Sequence, residues 1–169
     1  MAYSENRSYG ELHIAVFLWG FTAILGDVIS LNAVTLVWWR VLLTSISLLA
    51  FVRVGKIIKE VGRKQALIFA GLGCIVALHW VTFYGAIKLA NASVGLICLA
   101  TTALFSSILE PLIVKRKFLW YELALGIFIL PGIWLIIDGV DSSMTTGVLV
   151  GLSSVLLVTN MCTFDKVYQ

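Results

Sequence analysis

Residues 92–117 read ASVGLICLATTALFSSILEPLIVKRK, a long apolar run that ends at three consecutive basic side chains. A helix needs about 20 mostly apolar residues to cross a hydrocarbon core about 30 Å thick. The segment Ala92–Val114 meets this length, and its single charge, Glu110, lies near the basic end. We therefore predict that it crosses a membrane.

The composition of the whole chain points the same way. Of 169 residues, 60% are hydrophobic and only 12% are charged, and the mean hydropathy is +1.02. Soluble domains contain about 45–50% apolar and about 25% charged residues. Too few polar groups remain to cover a globule, which excludes a soluble enzyme, a disordered tail and a nucleic-acid-binding module.

Five further apolar stretches predict an all-α membrane protein with about six spans. Their runs are continuous rather than alternating, which favours helices over a transmembrane β-barrel. The first lacks a convincing cleavage site and is expected to be an uncleaved span. The five are Leu12–Ile29, Ala33–Val52, Ala66–Ile87, Leu119–Ile137 and Val148–Phe164.

The basic residues predict a cytoplasmic N-terminus. In this orientation ten of the twelve lie in inner segments, as the positive-inside rule requires. Membrane topology and anionic lipid then account for the charge without a nucleic-acid partner. We expect a multi-pass protein, in the cytoplasmic (inner) membrane if the source is bacterial. The ten basic residues assigned to inner segments are Arg7, Arg53, Lys56, Lys59, Arg63, Lys64, Lys115, Arg116, Lys117 and Lys166.

Motifs for catalysis or metal binding are missing from the sequence. It has no phosphate-binding glycine loop, no H-E-x-x-H and no G-x-S-x-G. Its three cysteines, Cys74, Cys98 and Cys162, are scattered through the spans without metal-ligand spacing. We expect no enzyme activity, no cofactor and no metal.

Arg40 is the most informative charge, because it lies about 10 Å along the second span at 1.5 Å per residue. One interpretation is an anion or carboxylate site that faces a water-filled cavity. The other is a snorkelling side chain held at the outer interface by Trp38 and Trp39. The sequence leaves both open.

Other polar residues in the spans also allow two interpretations. Glu110 is either a gating or proton-sensing carboxylate or an interfacial partner of Arg116 and the nearby lysines. His79 is either a hydrogen-bonding packing residue or a proton relay. Thr102 and Ser106 continue a small, faintly polar stripe that begins at Gly95 and Cys98, and this stripe either packs against a neighbouring helix or lines a pathway.

The order of several short motifs resembles the EamA-type branch of the drug/metabolite transporter superfamily. The resemblance covers residues 10–139, as one five-helix repeat, but a proline often found midway along span four is replaced near Thr102. The motifs are Phe17-Leu-Trp-Gly20, Trp39-Arg40, FYGAIKLANAS at 83–93, Glu110-Pro111 and the spacing of Gly126 and Gly132.

The resemblance implies a ten-span carrier of small metabolites, including amino acids and related solutes, built from two inverted five-helix repeats. Arg40 would lie near the central cavity, with Trp19, His79 and Tyr84 as further candidates for its lining. Residues 147–169 would be the first helix of an incomplete second repeat. The expected partners are a small-molecule solute, membrane lipid, and a missing second half or a second copy of the chain.

We therefore predict a secondary transporter, or its N-terminal half, that works by alternating access. The alternative is a membrane assembly or regulatory subunit that packs on a partner. A small homodimeric multidrug exporter is less consistent with the sequence, because such proteins depend on an acidic group midway along the first span. Here Glu11 and Asp27 lie only at its ends.

Overall fold

The computed structural model of the chain describes residues 5–52, 61–131 and 141–168, together with 55 and 134. These ranges are helical and contain no strand. The described ranges contain seven α-helices, which we number in chain order, and a short 3-10 turn, Ser142–Met144, that precedes the last of them. They are α1 (Glu5–Val28), α2 (Ala33–Leu49), α3 (Arg63–Leu89), α4 (Ala92–Ala100), α5 (Thr102–Val114), α6 (Trp120–Phe128) and α7 (Thr145–Tyr168).

The helices confirm the prediction of an all-α membrane protein. Within the described ranges, four helical segments are long and apolar enough to cross a membrane, and Ala33–Leu49 is a shorter apolar helix. Large apolar side chains face outward, such as Phe17 and Trp120, which are 68% and 76% exposed. Such a surface suits lipid and would be unstable in water. The four segments are Arg7–Val28, Arg63–Leu89, Ala92–Val114 and Ser142–Met161.

Some predicted features lie outside the described residues. They include the inner-loop basic residues Arg53, Lys56 and Lys59, the end of the fifth span with Gly132, and the side chain of Cys162. The cytoplasmic location of the N-terminus stays a prediction.

Asparagine residues start the second and the fourth helix. The Oδ1 atom of Asn32 accepts from the N–H of Thr35, and that of Asn91 accepts from the N–H of Val94, each at 2.9 Å. Each asparagine thus satisfies a backbone donor that has no partner within its helix. The two caps lie at the short turns that join α1 to α2 and α3 to α4.

The fourth predicted span is interrupted at Thr101. Its hydroxyl donates to the carbonyl of Cys98 at 2.6 Å, and its N–H lies 3.1 Å from the same carbonyl. A side-chain hydrogen bond of this kind competes with the regular helical pattern. Helix α5 then continues through Pro111 as far as Val114.

Helix α3 lies at the centre of the bundle and contacts α1, α2, α4 and α7. On the side that faces α1 and α2, its residues Phe83, Tyr84 and Ile87 belong to a buried cluster. Toward α7 the contact is more extensive and involves smaller side chains. This central helix positions the site described next.

Candidate functional site

Arg40 points from α2 toward α3. Its Nη1 donates to the hydroxyl oxygen of Tyr84 at 2.6 Å, and its Cζ lies 3.8 Å from the centre of the Trp80 ring. The guanidinium is therefore held by a hydrogen bond and by a cation–π contact. Trp38 and Trp39 instead contact each other edge to face, with ring centres 5.0 Å apart.

Spacing along α3 produces this arrangement. Trp80 and Tyr84 are four residues apart, so they lie on the same side of the helix. Their rings stack with centres 5.8 Å apart and an interplanar angle of 26°. Tyr84 is almost fully buried, and a Cβ atom at Gly26 would lie 2.5 Å from its Cε1. A side chain at position 26 would therefore displace the ring from its present position beside Arg40.

A cavity of about 250 Å³ adjoins the guanidinium. We call it the Arg40 cavity. Its described lining combines Arg40 and the hydroxyl-bearing Thr22 and Tyr84 with apolar groups from α1, α2 and the turn between them. The remaining lining residues are Leu25, Gly26, Ile29, Leu31, Leu36, Trp39 and Leu43.

The Arg40 cavity is incomplete on one side. Leu25, Trp39 and Leu43 line it yet are about half exposed. Its other side is closed by Leu36 and Tyr84, which are buried in the cluster between α1, α2 and α3. The turn between α1 and α2 is fixed by Lys88, whose Nζ donates to the carbonyl of Asp27 at 3.2 Å and also to that of Ile29. The cavity therefore has a rigid wall and an open one.

No carboxylate among the described residues forms an ion pair with Arg40. The ion pairs found there join Arg7 to Glu11, and Arg116 to both Glu110 and Glu122. A guanidinium within a membrane span is costly unless it has polar partners or an anion. The arrangement is chemically suited to hold a negative group.

Trp19 and His79, two of the predicted lining residues, are not among the residues that line the Arg40 cavity. Trp19 is 61% exposed on α1. His79 is buried, and its Nδ1 lies 3.0 Å from the carbonyl oxygen and 2.8 Å from the hydroxyl of Ser154 on α7. That hydroxyl donates to the carbonyl of His79 at 3.0 Å. His79 therefore joins α3 to α7.

The polar stripe of the fourth span begins in packed surroundings. A Cβ atom at Gly95 would lie 2.6 Å from Ile87, and Cys98 packs against Gly151 of α7. Farther along, the Thr102 hydroxyl oxygen is buried and has no hydrogen-bond partner in the described part of the chain. Ser106 is partly buried. Neither Thr102 nor Ser106 lines the Arg40 cavity.

Glu110 lies at the other end of the bundle. Its Oε1 accepts from Nε of Arg116 at 3.0 Å, while the Nη2 of the same guanidinium donates to Glu122. The hydrogen bond that Arg116 donates to Glu122, with the charges of both carboxylates, raises the pKa of Arg116 above its ordinary value. The ion pairs connect the ends of α5 and α6 around Lys115, which has a left-handed backbone with φ of 55°.

Sequence reasoning did not identify Trp80, Gly26 or Ser154 as site residues. The spacing of Trp80 one turn before Tyr84 was an available signal, since the two must share a helix face. Ser154 had no such signal, because it is 75 residues from His79. In the described part of the chain, no group of three or more His, Cys, Asp or Glu side chains could hold a metal ion.

Comparison with known families identifies the chain. Residues 12–138, more than half of the sequence, match the EamA-like transporter family. The chain belongs to this family. It is therefore an integral membrane protein of the drug/metabolite transporter superfamily, and α7 lies beyond the residues that match the EamA family. No curated protein and no solved structure matches the chain.

Proposed function

We propose that the chain is a secondary transporter, or the N-terminal half of one, that moves small metabolites such as amino acids or related solutes by alternating access. Residues 10–139 would form one five-helix repeat, and residues 147–169 would begin an inverted second one. The EamA family relationship supports transport in general. The Arg40 cavity supports a place for the solute.

The observation that carries the proposal is the placement of the Arg40 guanidinium. It lies beside a cavity in the span region, and Trp80 and Tyr84 fix its direction. Carrier sites lie at the interface of two helix repeats, where polar groups face each other inside the membrane. Arg40 and Tyr84 are the residues that we assign to the solute pathway.

The exposed side of the Arg40 cavity supports a second half or a second copy of the chain as the missing wall. Leu25, Trp39 and Leu43 lie on that side, half exposed beside the guanidinium. A second helix repeat placed there would enclose the solute between two surfaces, as alternating access requires. Glu110, which is paired with Arg116 at the opposite end, would then lie away from the solute.

Solute flux into liposomes tests the proposal. The full chain is reconstituted, and uptake of labelled alanine, leucine and hexanoate is compared for the unmodified protein and Arg40→Ala. Loss of a charged hydrogen-bonding partner is expected to lower the initial rate by about tenfold or more. The matched control is Arg63→Ala, which removes an exposed arginine from the start of α3.

Three outcomes are informative. A rate that falls only in Arg40→Ala supports the pathway, whereas equal rates would remove Arg40 from it. No uptake of any solute, together with a fixed protein partner that co-purifies and no ligand-dependent change in stability, would favour an assembly or regulatory subunit instead.

A further inference from the structure

We propose that the Arg40 cavity binds a small organic anion with one carboxylate on a short apolar body, and that it selects against zwitterionic amino acids. This inference rests on the proposed function, and among the small metabolites proposed there it narrows the solute from amino acids and related compounds to monocarboxylates without an ammonium. It follows from the charge, the donors and the size of the cavity.

The charge of the lining favours one negative group. Arg40 is its single cation, and the ten described lining residues include no aspartate or glutamate. Since no described carboxylate pairs with Arg40, a ligand anion would supply the missing countercharge. The ammonium of an amino acid would find no carboxylate in this lining and only neutral hydroxyl groups, such as that of Thr22, so it would lose hydration without a charged partner.

The donors suit a carboxylate. Arg40 uses Nη1 to reach the Tyr84 hydroxyl oxygen, which leaves other N–H groups of the planar guanidinium to bind a ligand. Tyr84 accepts that bond, and its own O–H has no acceptor among the described residues. The two side chains can therefore donate to the two oxygens of one carboxylate.

Because the cavity is open on one side, its size and polarity apply to the part of the ligand that lies within it. A volume of 250 Å³ equals about eight water molecules at about 30 Å³ each. That suits a chain of roughly six carbons with its carboxylate. Leu25, Leu36 and Leu43 provide apolar walls for the chain, whereas a second carboxylate would be placed against them without a donor.

Equilibrium dialysis of radiolabelled hexanoate against the full chain in zwitterionic lipid tests this selectivity. The unlabelled competitors differ by one feature each: norleucine adds an ammonium, adipate adds a second carboxylate, and dodecanoate lengthens the chain. We expect hexanoate to compete at least about tenfold better than norleucine or adipate, because either addition buries an unpaired charge.

Two variants locate the binding. Arg40→Gln is expected to weaken hexanoate binding by about tenfold or more, and Tyr84→Phe, which keeps the ring that stacks on Trp80, by about two- to tenfold. Arg63→Gln, at an exposed position, is the control and should bind as the unmodified protein does. The competition series needs no variant, so it stays decisive if Arg40→Gln does not fold.

The outcomes separate this inference from the proposed function. Hexanoate binding that depends on Arg40 but occurs without flux would contradict transport and support the ligand class. Flux of leucine without Arg40-dependent hexanoate binding would support transport and overturn the ligand class. Norleucine that competes as well as hexanoate would also overturn it. If dodecanoate competes as well as hexanoate does, the site binds a fatty acid from the bilayer, and the proposal of a ligand with a short apolar body is overturned.

Discussion

The two sides of helix α3 differ in how they contact their neighbours. Toward α1 and α2 it presents large aromatic side chains, Trp80 and Tyr84, which hold the Arg40 guanidinium at the edge of a cavity. Aromatic rings extend far from the helix axis, and at Gly26 it is the Tyr84 ring rather than the α3 backbone that approaches α1. This side combines a fixed charge with open volume.

Toward α7, the side chains of α3 are small. A Cβ atom at Gly147 would lie 2.7 Å from Cβ of Ala90 and 3.1 Å from the carbonyl oxygen of Ala86. Small residues let two helix backbones approach closely in lipid, where no hydrophobic force drives them together. His79 and Ser154 add a buried hydrogen-bonded pair to the same contact.

The comparison suggests a division of roles within one helix. The α3–α7 interface, defined by Ala86, Ala90, Gly147, His79 and Ser154, is packed without space for a ligand. The opposite side leaves space beside a cation. We therefore expect changes in the α3–α7 interface to alter stability, and changes around the Arg40 cavity to alter ligand binding.

The largest effect is expected from Gly147→Ala. Its added Cβ would lie 2.7 Å from Cβ of Ala90 and 3.1 Å from backbone atoms of Ala86 and Ala90, and overpacking of this kind costs about 1–3 kcal/mol. The measurement is the free energy of unfolding in mixed micelles. Hexanoate affinity of the folded fraction should be unchanged, because Gly147 does not line the Arg40 cavity.

Gly20→Ala is the matched control for this prediction. Nothing lies within 4 Å of a Cβ atom at that position in α1. An alanine in a helix interior is more stable than glycine by about 0.5–1 kcal/mol, so the control should be neutral or stabilising. Equal effects of the two variants would show that the α3–α7 interface is not close packed.

The sequence predicts the helices because their signals are local. Apolar runs of span length indicate the helices, and the asparagines before α2 and α4 indicate the short turns that precede those two helices. The interruption at Thr101 has no glycine or proline to indicate it. It depends on a side-chain hydrogen bond to Cys98, which threonines within helices do not always form.

The candidate site is harder to predict, because its contacts connect distant segments. Arg40 and Tyr84 were both named from the sequence, but their hydrogen bond spans 44 residues. The sequence left two interpretations of His79, and its partner Ser154 lies on a helix beyond the residues that match the family. Which side of α3 meets which helix is set by packing rather than by local sequence.

A smaller effect is expected from Gly26→Ala, on the cavity side. The new Cβ would lie 2.5 Å from Cε1 of Tyr84, a buried ring that stacks on Trp80 and accepts from Arg40. Displacing the ring should weaken hexanoate binding about fivefold, corresponding to about 1 kcal/mol. Dialysis measures this, with Gly20→Ala again as control. Unchanged affinity would mean that Tyr84 does not position the guanidinium.

The smallest effect is expected from the coupling between His79 and Ser154. In a double-mutant cycle with His79→Phe and Ser154→Ala, the interaction energy should be about 0.6 kcal/mol and not more than about 1.7 kcal/mol, as for hydrogen bonds between membrane helices. Unfolding in mixed micelles measures it, and the cycle of His79→Phe with Ser153→Ala, whose hydroxyl bonds within α7, serves as reference. Zero coupling would mean that small-residue packing alone joins α3 to α7. If the His79–Ser154 pair instead changed hexanoate affinity as strongly as Gly26→Ala does, the two sides of α3 would be coupled and their separation into a packing side and a binding side would be wrong.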